Sequence, residues 1–192
     1  MADKVYTFDI ANGGFDEAEK MLEKIEYYLL SEHFYKYMAK LLKKQLKIIQ
    51  KKKLTTINSR EDIKASVYMN SNHLEMGDGY IYIYNDAQID ISDKNMSETT
   101  KANYPAKLSL AKIVEYGIGY TGGMNSIGEE DGWDYDVNRH GYKGWYYKDN
   151  NGEVHWTNGF AGRYVFLELK RYIEENIEQI MSDYLEDMFK KK

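Results

Sequence analysis

Apolar side chains recur every three or four residues over the first quarter of the chain, which is the spacing of one helix face. The pattern starts after Gly14, where Asp16 and Glu19 form a capping pair. Its apolar positions are Ala18, Met21, Leu22, Ile25, Tyr28, Leu29, Tyr35, Met38, Leu42, Leu46 and Ile49. The sequence therefore predicts one helix over residues 15–53, about 55 Å long at 1.5 Å per residue. That length exceeds the width of a domain of this size, so we expect part of the helix to project toward a neighbour.

A second helical pattern closes the chain and predicts a C-terminal helix over residues 163–189. Its apolar residues share one face at spacings of three or four. They are Phe166, Leu169, Ile173, Ile177, Ile180, Tyr184 and Met188.

The middle of the chain shows the alternation of β-strands. Residues 80–84 read Tyr-Ile-Tyr-Ile-Tyr, which places three tyrosines on one face of a strand and two isoleucines on the other. The isoleucine face is expected to pack under the helices. The tyrosine face is expected to be half-exposed or an interface.

Strands are predicted across residues 63–91. Residues 63–69 form the first candidate, and Ile89 and Ile91, after a turn at residues 85–86, are the expected hairpin partner of 80–84. A second hairpin is predicted over residues 145–157, around the turn Asp149-Asn150-Asn151-Gly152.

The segments between these elements are polar. Residues 92–107, with the sole proline, are expected to form a loop, and residues 108–116 a short helix that ends at Gly117. Residues 117–144 are rich in Gly, Asp and Asn, and a loop of that length is usually functional or ordered by a partner. The predicted fold is a single α+β domain, in which two long helices pack on a curved, mostly antiparallel sheet with a long loop.

Composition and charge narrow the class of protein. The 192 residues include no Cys, which excludes a disulfide framework, a thiolate zinc site and a Cys nucleophile. No apolar run approaches the length of a membrane span, and residues 1–10 lack the pattern of a secretory signal. A net charge of −5 argues against a surface built to coat nucleic acid. The 19 tyrosines favour large, half-hydrated contact surfaces.

Charge is unevenly distributed between the two helices. The second half of the first helix is basic, and the C-terminal helix carries seven acids between Glu168 and Asp187. The two are plausible partners within or between subunits, although exposed pairs contribute little individually. The lysines either form a solvated face at a helix C-terminus or contact DNA phosphates or an acidic neighbour. The candidates for such contacts are Lys43, Lys44, Lys47, Lys51 and Lys52.

The search for catalytic or metal chemistry finds little. The four histidines form no metal-binding pair on a helix, and no phosphate loop or nucleophile elbow occurs. The acids of residues 129–136 are the best candidate for a cation site, but a solvated acidic loop is the alternative, and their spacing differs from an EF-hand. We therefore expect a non-enzymatic protein without a cofactor or metal.

Three segments carry a more specific pattern in a fixed order. Ile113-Val114-Glu115-Tyr116-Gly117-Ile118-Gly119 comes first, and Gly144-Trp145-Tyr146-Tyr147 follows. The third segment runs from Trp156-Thr157-Asn158-Gly159-Phe160-Ala161-Gly162-Arg163 into Tyr164-Val165-Phe166. In order and spacing they resemble the tail-completion or head–tail joining (neck) family of long-tailed bacteriophages.

The resemblance implies a virion structural protein that forms a homo-oligomeric ring of six or twelve copies. The ring would lie at the neck or the top of the tail, and the protein would pass through the host cytoplasm during assembly. Its implied partners are the head connector or adaptor and the tail terminator or tube proteins. DNA would slide through the lumen without sequence-specific binding, and no membrane is involved.

The residues implied to matter are structural or interface residues, not catalytic ones. They are Glu115, Tyr116, Gly117, Gly119, Trp145, Tyr146, Trp156, Phe160, Arg163 and Phe166.

Physical chemistry suggests a structural role for several of these residues. Gly117 would end the short helix in a left-handed conformation, and Gly119 would permit a close backbone approach. Glu115 could accept hydrogen bonds from Arg163 or from backbone amides. Trp145, Trp156 and Phe160 either fill the space between hairpin and helices or serve as ordinary core, and Phe166 is expected in the core.

Two other functions remain open from the sequence. Aromatic residues with the acidic loop could form a binding module for carbohydrate or calcium. A small nuclease is a weaker alternative, because its ordered tripeptides and catalytic spacing are missing.

Overall fold

The structure is a computed structural model that describes residues 14–55, 65–77, 79–90, 107–122, 126–130, 132–133, 143–148 and 153–190. Within these ranges lie seven helices: α1 (Gly14–Leu29), α2 (Glu32–Lys53), α3 (Ala65–Asn70), α4 (Leu110–Tyr116), α5 (Gly119–Gly122), α6 (Ser126–Glu130) and α7 (Val165–Lys190). The strands in the same ranges are β1 (Asn72–Gly77), β2 (Tyr80–Asn85), β3 (Gln88–Asp90), β4 (Lys107–Ser109), β5 (Gly117–Ile118), β6 (Trp145–Lys148), β7 (Val154–Thr157) and β8 (Phe160–Ala161). The predicted loop at 92–107 lies outside the described residues except for Lys107, and the predicted turn at 149–152 lies outside them entirely.

The predicted single helix over 15–53 is wrong, because the chain breaks at Ser31. The Ser31 hydroxyl donates to the Tyr28 carbonyl at 2.6 Å and accepts from the Phe34 amide at 3.3 Å. It therefore ends α1 and caps α2 with the same oxygen, as serine does at helix N-termini. The apolar periodicity continues across the break, which is why the spacing alone did not show it.

The first predicted strand is also wrong, because residues 65–70 are helical. Ala65 and Tyr68 are buried at a spacing of three, which matches a helix and not a strand. The partner of β2 is β1, which precedes it, and the antiparallel register pairs Asn72 with Asn85 and Gly77 with Tyr80. Residues 88–90 pair instead with β4.

The strands do not join into one curved sheet. In the described part of the chain they form four separate two-stranded antiparallel sheets, β1–β2, β3–β4, β5–β8 and β6–β7. Helices dominate, and the fold is α+β in this coarser sense. The hairpin predicted at 145–157 is confirmed as β6 and β7.

The segment predicted as a long loop after Gly117 contains ordered elements. It begins with β5, α5 and α6, and Trp133 is buried in the core. The short helix before it is confirmed as α4, with Ser109 as its N-cap and Gly117 as its C-cap.

The core lies between α2, α4 and α7. Its fully buried side chains include Tyr68, Leu110, Val114 and Val165. The predicted C-terminal helix is confirmed as α7, which packs antiparallel to α2. Lys53, at the end of α2, contacts Glu168 in the first turn of α7, and Phe34, at the start of α2, contacts Tyr184 in the last third of α7. No helix in the described ranges is long and apolar enough to cross a membrane.

Candidate functional site

A buried carboxylate from α4 caps the start of α7. Glu115 is only 6% exposed, and its Oε2 and Oε1 accept from the backbone amides of Phe166 and Leu167 at 3.0 and 2.9 Å. Tyr164, at the cap position, has φ 51°. Its side chain also lacks the short acceptor that caps a helix, so the acceptor comes from another helix. The sequence predicted that either Arg163 or backbone amides would donate to Glu115, and the structure shows the backbone amides of Phe166 and Leu167 in that role.

The residues just before α7 are hydrogen-bonded to the backbone of α4. The Arg163 amide donates to the Val114 carbonyl at 2.7 Å, and the Tyr164 amide donates to the Glu115 carbonyl at 3.1 Å. The Arg163 guanidinium lies over the Phe160 ring, 4.9 Å from its centroid. The first and third of the sequence segments therefore meet in one place, which we call the α4–α7 junction.

Burial dominates the electrostatics of the junction. It raises the pKa of Glu115, and the amide hydrogen bonds from Phe166 and Leu167 oppose that shift without reversing it. Tyr68 is fully buried nearby, and burial, followed by the negative charge of Glu115, raises the pKa of its hydroxyl.

Stability should consequently depend on the charge of Glu115. A carboxyl whose folded pKa is raised contributes stability fully below its unfolded value of 4.5, and that contribution is lost as the pH rises through the folded pKa. We expect the free energy of unfolding of the wild type, relative to Glu115→Gln, to fall as the pH rises above 4.5. Urea unfolding of both proteins over a pH series measures this difference, and a difference that grows with pH would contradict it.

Glycines let three backbone segments touch at the junction. Gly117 has φ 88° and ψ −179°, and a Cβ there would lie 2.5 Å from the Phe160 carbonyl oxygen. The φ is left-handed as predicted, but the ψ is extended, a region that is essentially restricted to glycine. A Cβ on Gly162 would lie 2.6 Å from the Glu115 carbonyl oxygen, and one on Gly159 would lie 3.1 Å from the Gly119 Cα. The close approach predicted at Gly119 is therefore present.

The aromatic candidates divide into buried and exposed sets. Tyr116 and Phe160 are buried, and Phe166 is half-buried against the core. Trp156, in contrast, is 56% exposed, so the expectation that it fills space between hairpin and helices is wrong. For Trp145 the structure gives only the backbone, which pairs with Thr157.

The β6–β7 hairpin presents an aromatic outer face. Tyr146 and Trp156 are direct cross-strand partners, with ring centroids 4.8 Å apart in an edge-to-face arrangement, and Tyr146 is 69% exposed. A Cβ on Gly144 would lie 2.5 Å from the Trp156 ring, so the indole lies across the bare backbone there. The alternate position Val154 is exposed on the same face.

The β1–β2 hairpin presents a second aromatic face. Its isoleucines pack against the core and its tyrosines point outward, as the alternation predicts. Tyr82 stacks on Tyr84 with ring centroids 5.2 Å apart, and His73 also stacks on Tyr84, at 5.0 Å. The Tyr84 hydroxyl donates to Glu75 at 2.8 Å. Both hairpins thus hold exposed rings in fixed positions.

The candidate lysines all lie on the exposed side of α2. Lys43, Lys44, Lys47, Lys51 and Lys52 are exposed. At the end of the helix, Lys53 contacts Glu168 of α7 at 2.5 Å and Lys52 contacts it at 3.7 Å. These ion pairs join the two helices, as the opposite charges of the helices suggested.

The described residues contain no group of three or more side chains that could hold a metal ion. Of the acidic loop, Asp131, Asp134 and Asp136 lie outside the described residues.

Sequence reasoning missed Trp133. Its Nε1 donates to the Gly117 carbonyl at 2.9 Å, so this buried side chain contacts the backbone of the α4–α7 junction. The signal was its apolarity: it is the one tryptophan in an otherwise polar, acidic stretch.

A buried amide network was also missed. Gln50, on α2, exchanges hydrogen bonds of 3.0 and 3.2 Å with Asn72, and Asn85 donates to Asn72 at 2.9 Å. The network fixes the base of the β1–β2 hairpin to α2. A lone glutamine at a core position of the helical pattern was the available signal.

Comparison of the chain with protein-family models, curated proteins and solved structures found no match.

Proposed function

We propose that the chain is a non-enzymatic phage virion protein that forms a ring at the neck or the top of the tail. The ring completes the tail, joins it to the head connector, and leaves a channel for DNA. The observation that carries the proposal is the pair of hairpins whose rigid aromatic faces remain exposed in the single chain. Tyr and Trp are enriched at the centres of protein interfaces, because they bury a large area at little entropic cost.

The geometry of the hairpins supports assembly over ligand binding. Each is a two-stranded sheet with no further strand beside it in the described part of the chain. Unpaired strand edges are templates for pairing with another chain. In the assembled ring, the separate hairpins of neighbouring copies would join into the longer curved sheet that the sequence suggested.

The α4–α7 junction gives the three resembling segments a structural role. The first and third segments hold α7 to α4 through the Glu115 cap, and the second carries the exposed face of β6. The junction would keep the shape of each subunit, and the exposed face of β6 would contact a neighbour, as a ring component requires. It requires no catalytic group.

The first experiment is a mass measurement by light scattering with negative-stain imaging at high concentration. Six copies of the 22.6 kDa chain would weigh about 136 kDa and twelve about 271 kDa. We expect a closed ring with a central hole wide enough for duplex DNA. A monomer at every concentration, stabilised by sugar or calcium, would favour the binding module instead.

The aromatic face of β6–β7 should be required for assembly. We expect Tyr146→Ser combined with Trp156→Ser to weaken ring formation at least tenfold, because each ring removed from an interface core costs about 2 kcal/mol or more. Light scattering over a dilution series measures the change. Val67→Ser, which alters an exposed apolar residue on α3, is the control and should assemble normally. Equal assembly by the double variant and the control would exclude this face from the interface.

A further inference from the structure

The break between α1 and α2 creates an open groove of about 470 Å³. Two apolar side chains line it and are available to a partner: Tyr27 is 71% exposed and Leu30 is 65% exposed. Three acidic side chains line it as well: Glu23, Glu26 and Glu32. We call this the α1–α2 groove.

A surface of the opposite charge lies farther along α2. Five exposed lysines there have no described carboxylate within ion-pair distance: Lys40, Lys43, Lys44, Lys47 and Lys51. They lie within residues 40–51, and the first and last are about 16 Å apart along the helix. Among them stands one exposed apolar side chain, Ile48, which is 50% exposed. We call this the lysine stripe.

The two surfaces match in pattern as well as in charge. The groove combines exposed apolar residues with carboxylates, and the stripe combines an exposed apolar residue with lysines. An interface core that is apolar and a rim that is charged are the usual anatomy of a protein contact. Duplex DNA offers phosphates but no apolar counterpart for Ile48, so the pattern favours a protein partner.

The surfaces cannot meet within one molecule. Glu32 at the groove and Ile48 in the stripe lie on the same helix, 16 residues or about 24 Å apart. A continuous helix keeps them at that separation. Contact therefore requires two molecules. When each copy gives its groove to one neighbour and its stripe to another, the contact is head-to-tail and closes into a ring if the rotation permits.

We infer that the α1–α2 groove of one copy receives the lysine stripe of a second copy, with Ile48 against Tyr27 and Leu30. This inference deepens the proposed ring and rests on it for the closed geometry. Lys44 and Lys47 flank Ile48 and face Glu23 and Glu26 across the contact. The contact should weaken as salt is raised, because exposed charges are screened over about 10 Å at 0.1 M ionic strength.

Charge reversal with complementation tests the inference. Glu23→Lys with Glu26→Lys makes the groove basic, and Lys44→Glu with Lys47→Glu makes part of the stripe acidic. We expect each double variant alone to associate at least tenfold more weakly than the wild type, by light scattering at low salt. An equimolar mixture should associate again, because the reversed groove then meets the reversed stripe. Glu175→Lys with Glu178→Lys, on the exposed side of α7, is the matched control and should behave like the wild type.

The outcomes separate this interface from the ring itself. If both double variants still form the same ring as the wild type, the groove assignment is overturned and the proposed ring stands. Loss of association only in the α7 control, or variants that fail to recover on mixing, also overturns it. A wild-type protein that stays monomeric alone, together with a mixture that stays monomeric, overturns both the interface and the ring. Circular dichroism of each variant should show wild-type helix content, since all substituted side chains are exposed.

Discussion

Replacing Gly117 with alanine is expected to lower the free energy of unfolding by about 4 kcal/mol. About 1 kcal/mol comes from forcing an L-residue into φ 88° with extended ψ, and about 3 from a Cβ placed 2.5 Å from the Phe160 carbonyl oxygen. The obstacle is backbone in a paired strand, so it cannot rotate away as a flexible side chain could. Urea unfolding followed by circular dichroism measures the loss.

A matched glycine separates the two causes. Gly79, in the turn between β1 and β2, has φ 84°, but the atom nearest to an added Cβ is the Tyr35 hydroxyl at 3.9 Å. We expect Gly79→Ala to cost only the conformational part, about 1 kcal/mol. If both variants lose the same free energy of unfolding, the close approach of the Phe160 backbone to Gly117 adds nothing to the cost.

Replacing Glu115 with alanine is expected to cost about 3 kcal/mol at neutral pH. The substitution leaves the amides of Phe166 and Leu167 without their acceptor at a partly buried helix start, and each such loss costs about 1 to 3 kcal/mol. Glu115→Gln keeps the shape and one carbonyl acceptor and removes the buried charge, so at neutral pH it should cost far less than Glu115→Ala. Chemical denaturation measures both, and amide hydrogen exchange should show faster opening of the first turn of α7 in the alanine variant.

Glu168 on the same helix is the control for charge. It is partly exposed and pairs with Lys53 at 2.5 Å, and that pair lowers the pKa of its carboxyl. We expect Glu168→Gln to cost about 0.5 kcal/mol or less, because exposed ion pairs are screened. If Glu168→Gln costs as much as Glu115→Ala, the cap is not the main link between α4 and α7.

The two largest effects both fall on the α4–α7 junction, and the sequence located it only in part. The short motif around Glu115 and Gly117 was recognisable, including the positive φ and the backbone acceptor role. Trp133 lies within residues 117–144, which the sequence predicts as a long loop because its neighbours there are acidic and polar. Its actual neighbour is the Gly117 carbonyl, 16 residues earlier, and no local pattern encodes a contact with a single carbonyl group.

The same limit explains the error in strand pairing. The alternation over residues 80–84 predicted both faces of β2 correctly, since alternation is a property of the strand itself. It did not identify the partner, because segments on both sides are polar and similar in length. The amide network of Gln50, Asn72 and Asn85 stabilises β1 as the partner, and that network exists only once α2 has packed.

The sequence by itself determined the elements whose signal repeats along the chain: the amphipathic faces of α2 and α7, the outward tyrosines of β2 and the β6–β7 hairpin. Tertiary structure decided what depends on one contact between distant residues: the burial of Trp133 against Gly117 and the cap that Glu115 places on α7. A periodic pattern is reinforced at every turn, so no single residue can hide it. A single distant contact leaves no repeat in the sequence, and the competing alternatives differ only in how well the folded chain packs around them.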